Sequence, residues 1–85
     1  MANVSMYSTV ICPYCMRAER LLHQKGVQVN KILVDQHPEE LEKMIEITGR
    51  RTVPQIFIGN HHVGGYDDLV ELDRQGKLEP LLQAP

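Results

Sequence analysis

The stretch Val4-Ser5-Met6-Tyr7-Ser8-Thr9-Val10-Ile11-Cys12-Pro13-Tyr14-Cys15 passes from an apolar segment into a tetrapeptide that holds both cysteines of the chain. Asn3 to Tyr7 alternates, with Val4 and Met6 on one face, and predicts a short strand. Ser8 and Thr9 form a polar break. From Pro13 the spacing turns helical. Proline suits the first helical position, because its missing N–H would have no partner there and its fixed φ is already helical. Cys15, Ala18, Leu21 and Leu22 recur on one face of that helix. Gly26 after Lys25 supplies a left-handed stop, with Val27 as the apolar contact that follows it. Val27 to Val34, rich in Val and Ile, predicts a second strand. Strand, helix and strand so closely spaced make a βαβ unit, which is right-handed in about 98% of cases.

The remainder extends that unit. Asp35-Gln36-His37-Pro38 starts a second helix, with Glu39 and Glu40 at its positive end. Leu41, Met44, Ile45 and Thr48 line the inner face of that helix, and Gly49 stops it. Gln55 to Ile58 reads as a buried strand, Gly59-Asn60 as a hairpin turn, and His61 to Val63 as the returning antiparallel strand. Gly64-Gly65 leads into a third helix carrying Leu69, Val70 and Leu72. Gly76 closes it, and Lys77 to Leu82 adds a short terminal turn or helix. The expected order is β-α-β-α-β-β-α: an α/β domain with a mixed four-stranded sheet and helices on both faces.

Composition narrows the function classes. Eighty-five residues make one domain, 1–85, without room for a second core. A net charge of -2 argues against nucleic-acid binding, which needs a basic patch or stripe. No apolar run approaches the roughly 20 residues that span a bilayer. The N-terminus shows no secretory pattern, so a cytoplasmic location is expected. With only two cysteines there is no disulfide framework, and a close pair in that compartment points to redox catalysis or metal binding.

The two cysteines are not equivalent. With Pro13 as the first helical residue, Cys12 is the N-cap, and its sulfur lies within reach of the free N–H groups of Tyr14 and Cys15. Those donors and the helix dipole favour thiolate, lowering the Cys12 pKa below the free-cysteine range. Cys15 shares a face with Ala18 and Leu22 and is expected to be more buried. An exposed nucleophile beside a shielded thiol can resolve a mixed disulfide. A closed zinc site would need two further ligands, and only His23, His37, His61 and His62 could supply nitrogen. His61 and His62 are adjacent on a strand and point to opposite faces. Solvated surface histidines are the simpler account, and no metal is expected.

The strand before Cys12-Pro13-Tyr14-Cys15, then Thr52-Val53-Pro54, then Gly64-Gly65-Tyr66-Asp67-Asp68 resembles the dithiol class of glutaredoxins over essentially the whole chain. That resemblance implies a thioredoxin-like fold and a glutathione-dependent reduction of protein disulfides and protein–glutathione mixed disulfides. It makes Cys12 and Cys15 catalytic and glutathione the reducing co-substrate. Tyr14, Arg51, Thr52, Val53, Pro54, Gly65, Tyr66 and Asp67 are the expected glutathione contacts. It further implies a monomer acting on disulfide-containing or glutathionylated proteins, with ribonucleotide reductase a candidate among them.

Physical readings stand beside the resemblance. The residue before a proline is forced extended, so Val53 can offer its N–H and C=O to an extended peptide. The resemblance makes Pro54 cis, whereas only about 5–6% of X–Pro bonds are cis. A helix start after Gly64-Gly65 offers free N–H groups to a carboxylate, while Asp67 suits the adjacent ammonium of a γ-glutamyl head group. Asp68 is left to cap the third helix. Relatives usually carry lysine three residues before the first cysteine, where this chain has Thr9. Arg51, with Arg50 second, is the expected replacement cation for the glycyl carboxylate. Two competing functions are a thioredoxin-like donor reduced by a flavoenzyme and a glutathione-assisted iron–sulfur carrier. The first lacks its usual Gly-Pro between the cysteines and its tryptophan; the second usually has one motif cysteine and no proline after it.

Overall fold

Strand β1 (Val4–Ser8) lies inside a four-stranded sheet, flanked on one side by β2 (Val29–Leu33) and on the other by β3 (Gln55–Ile58), with β4 (His61–Gly64) at the far edge. The computed structural model describes residues 2–84, so Met1 and Pro85, the ends of the expected domain, lie outside the described residues. β1 and β2 run parallel in the register Val4↔Val29 to Ser8↔Leu33, whereas β3 is antiparallel to both β1 and β4. The sheet is therefore mixed, as expected. The helices are α1 (Pro13–Gln24), α2 (Pro38–Thr48), α3 (Tyr66–Arg74) and α4 (Leu78–Gln83).

Strand alternation divides the core in two. Val4 and Met6 of β1 and Ile56 and Ile58 of β3 face Cys15, Ala18 and Leu22 of α1, Leu69 of α3, and Leu78 and Leu82 of α4. Tyr7 points the other way, to Val34 and Met44, with Phe57 packed against them. Val53 contacts both clusters, at the point where the chain re-enters the sheet. Helices thus cover both faces.

The predicted strand Val27 to Val34 is shorter than its apolar run. Val27 and Val34 are buried but lie outside the strand bounds; the Val34 N–H still donates to the Ser8 carbonyl of β1 at 2.9 Å, whereas Val27 is buried without joining the sheet. Val27 completes the end of α1 instead. Gly26 adopts φ 85, its N–H donates to the His23 carbonyl at 2.9 Å, and the Val27 N–H donates to the Leu22 carbonyl at 3.3 Å. This paired closure needs a left-handed residue, which glycine adopts without a Cβ clash. In the other half, Ile58 faces His61 across a two-residue hairpin, and Phe57 faces His62. A register shift after that pair sets Gly64 opposite Ile56.

Met44 is the one fully buried residue of α2, flanked by the partly buried Leu41 and Ile45, so it is the deepest anchor of that helix on the sheet. Truncation to alanine removes its transfer energy and leaves a cavity, at about 2–5 kcal/mol. Met44→Ala should therefore lower the urea midpoint by that amount of stability; an unchanged midpoint would mean that α2 is anchored elsewhere.

Candidate active site

Cys12 caps α1 in extended geometry (φ -150, ψ 98), with Pro13 in the first turn. Its sulfur accepts the Cys15 backbone N–H at 3.1 Å, and the Met16 N–H donates to its carbonyl at 3.0 Å to open the helical ladder. Of the two donors expected at the sulfur, the one in place is Cys15. The two thiols are joined in a disulfide with a Cα–Cα separation of 5.2 Å. Cys12 is 8% exposed and Cys15 3%. The expected order of burial holds, but Cys12 is a recessed group, not an exposed one, because its sulfur is turned back toward the helix. Around it stand Ile11 at 87% exposure, with Val10, Tyr14 and Met16 also largely exposed.

A groove of about 360 Å³ opens beside the motif, lined by Tyr14, Arg50, Thr52, Val53, Pro54, Gly65, Tyr66, Asp67 and Asp68. Seven of the eight expected glutathione contacts meet there. The eighth, Arg51, does not line the groove, and Arg50 takes its place. Closeness to Thr52 favours Arg51, but it is Arg50 that the ion pair with Asp68 holds at the groove, at 3.0 Å. The Val53–Pro54 bond is cis. Among the described residues, neither the N–H nor the C=O of Val53 has a backbone partner. The Tyr14 and Tyr66 rings lie 6.0 Å apart across the opening, and the Arg17 guanidinium sits 5.2 Å over the Tyr14 ring.

The groove's far wall is the start of α3. Gly65 is its N-cap, and the Leu69 N–H donates to the Gly65 carbonyl as the first helical bond. The N–H groups of the preceding turn consequently have no partner within the helix. Asp68 reaches back to accept the Gly65 N–H at 2.9 Å and also holds Arg50 at 3.0 Å. This agrees with the capping role expected for Asp68 and adds a second one, fixing the cation of the groove. The bond from Gly65 and the Arg50 guanidinium together hold the Asp68 carboxyl below its ordinary value. Gly64 is the glycine this arrangement requires. Its φ is +114, and a Cβ there would collide with the Asp68 carboxylate.

Two features escaped the sequence. Thr9, standing where relatives usually have lysine, donates its hydroxyl to the Ile11 carbonyl at 3.2 Å and shapes the turn before Cys12. His62 is not a solvated surface histidine: its ring stacks on Phe57 at 4.9 Å and bonds to the buried Gln55 at 2.8 Å. The hairpin register already pairs Phe57 with His62, so this contact was available from the turn length. His61, on the opposite face, is exposed as expected. Among the described residues no three His, Cys, Asp or Glu side chains converge as a metal site, and no helix is long and apolar enough to cross a membrane.

A cysteine pair at a helix N-terminus, on a βαβ-based mixed sheet and beside a cis-proline groove, defines a thiol–disulfide oxidoreductase of the thioredoxin-like fold. Residues 4–63 match the Glutaredoxin family model. The chain is 51% identical to glutaredoxin 3 of Escherichia coli K12 over 83 residues, covering 98% of this chain and all of that protein. It is 50% identical to a glutaredoxin of Pseudomonas aeruginosa over 84 residues, 99% of this chain and all of that one. Among solved structures, the buckwheat glutaredoxin–glutathione complex superposes with a TM-score of 0.88 at 37% identity, covering 95% of this chain and 76% of that one. The solution structure of glutaredoxin from Brucella melitensis gives 0.85 at 49% identity, covering 98% and 90%. The chain belongs to the glutaredoxin family and is a glutathione-dependent thiol–disulfide oxidoreductase.

The charge on Asp68 carries a pH signature. Because folding lowers its pKa, the charged carboxylate stabilises the fold above its ordinary value of about 3.8, and this is lost as pH falls through the lower folded value. Asp68→Asn should melt below wild type at neutral pH, with the two curves converging below about 3.8. A constant gap down to low pH would show that the charge contributes nothing.

Proposed function

We propose that Cys12 is the nucleophile and Cys15 the resolving thiol, and that the groove beside them holds glutathione. The observation that carries this reading is the Cys15 N–H aimed at the Cys12 sulfur at 3.1 Å, at a helix N-terminus. A hydrogen bond to a charged group contributes about 1.5–3 kcal/mol, against about 0.3–1 kcal/mol for an exposed helix terminus. The local donor is thus the larger contribution to thiolate stability.

For a glutathionylated protein, the Cys12 thiolate attacks the glutathione sulfur, forms a Cys12–glutathione disulfide and releases the protein thiolate. A second glutathione thiolate then attacks the bound glutathione sulfur, giving oxidised glutathione and free Cys12. For a protein disulfide, Cys12 bonds one substrate sulfur and releases the other. Cys15 then displaces the first, leaving the Cys12–Cys15 disulfide, which two glutathiones reduce with one oxidised glutathione as product. The protein acceptors are disulfide-containing or glutathionylated chains, ribonucleotide reductase being one candidate. Residues 1–85 act as one domain, as a cytoplasmic monomer without a bound metal.

In the groove, Val53 gives its unpaired N–H and C=O to the cysteinyl backbone of glutathione, on a ledge set by Thr52 and Pro54. The N–H groups of Tyr66 and Asp67 take the γ-glutamyl carboxylate, with Gly65 leaving room, and the Asp67 side chain takes the neighbouring ammonium. Arg50 serves the glycyl carboxylate, since it lines the groove and Arg51 does not. Tyr14 covers the mixed disulfide.

Cys15→Ser should retain reduction of a glutathionylated peptide and lose intramolecular disulfide formation, whereas Cys12→Ser should abolish both. Turnover by Cys12→Ser would refute the assignment. Asp67→Ala should raise KM for glutathione by about tenfold, the size of one lost charged contact, without change in melting temperature. An unchanged KM would remove Asp67 from the site.

A further inference from the structure

Gln55 is fully buried at the start of β3, and its side chain is saturated. Its Nε2 donates to the Thr52 carbonyl at 3.0 Å and to Thr52 Oγ1 at 3.3 Å, while its Oε1 meets His62 Nε2 at 2.8 Å. The orientation of this amide is dictated by its partners. A carbonyl can only accept, so the NH2 end must face Thr52 and the oxygen must face His62. His62 therefore carries its proton on Nε2 and donates it to Gln55. The Phe57 ring, stacked at 4.9 Å with 25° between planes, holds the imidazole in place.

This chain of bonds ends one residue before Val53. Thr52 is the last residue before the backbone that faces the groove, and the Val53–Pro54 unit follows it directly. Val53 has no backbone bonds of its own among the described residues, so its position is set by Val53 packing and by the tie on Thr52. The tie comes from the α2 side of the sheet, away from the cysteines. We propose that the Gln55–His62 pair is a positioning device for glutathione, holding Thr52 so that the Val53 N–H and C=O are presented to the tripeptide in a fixed geometry. The inference rests on the groove being the glutathione site, and it assigns a part in substrate affinity to two residues that touch neither thiol nor groove.

His62→Phe keeps a ring to stack on Phe57 and removes the donor; Gln55→Met keeps the length and apolar packing and removes both bonds. Steady-state reduction of a glutathionylated peptide, at a temperature where melting curves show every variant folded, separates the roles. Each variant should raise KM for glutathione by about tenfold with kcat within about twofold of wild type. His62→Gln, which restores an N–H donor, should recover most of the affinity. A structural role alone would lower the melting temperature and leave KM unchanged. If Asp67→Ala raises KM while His62→Phe and Gln55→Met do not, the positioning role is overturned and the groove assignment survives. If none of the three changes KM, both are overturned.

Discussion

The chemistry depends on a sulfur standing where a helix usually has a capping oxygen. Cys12 satisfies an orphan N–H of α1 as Ser or Asp would, and in doing so it becomes the acceptor of a donor that stabilises negative charge. Pro13 supports this by starting the helix at once, without an N–H that needs a partner. Cys15 contributes twice. Its backbone N–H donates to the Cys12 sulfur, and its side chain, on the buried face with Ala18 and Leu22, closes the disulfide. Structure and reactivity are therefore the same feature of the first turn.

The second feature is the groove beside the thiols, built from parts distant in sequence. The segment before β3 and the start of α3 are joined through Asp68, which binds the Gly65 N–H and the Arg50 side chain together. Gly64 makes that closeness possible, because any Cβ there would displace the carboxylate. On the opposite side of the sheet, Gln55 and His62 hold Thr52. The groove is thus braced from both of its ends, while the thiols are braced by α1. Of the competing activities, neither a flavoenzyme-linked thioredoxin nor an iron–sulfur carrier is favoured by the family match and the intact Cys12–Cys15 pair.

Most of the architecture was legible because its signals are local. Pro13 and Pro38 marked helix starts, Gly26 and Gly49 marked helix ends, and Gly59-Asn60 marked the hairpin. Strand ends were less so, since Val27 is buried while closing α1, and Val34 is buried just beyond β2 with its N–H on Ser8. At the site, Cys12 at the N-cap follows from one proline, and the seven expected residues that line the groove came from three short motifs. The choice between Arg50 and Arg51 did not, because it depends on which way a side chain leaves an irregular segment. His62 was misjudged for a different reason. Counting histidines as metal ligands or surface groups left out a third role, hydrogen bonding to a buried glutamine, which the Phe57–His62 register would have suggested.

The central claim is that the α1 N-terminus makes Cys12, and not Cys15, the reactive thiolate. The direct test is the pH dependence of iodoacetamide alkylation of the reduced protein, with the modified cysteine identified by peptide mapping. The account predicts modification at Cys12 alone, with a midpoint below the free-cysteine range. Labelling of Cys15 at a comparable rate, or a Cys12 midpoint at or above that of a free cysteine, would contradict it.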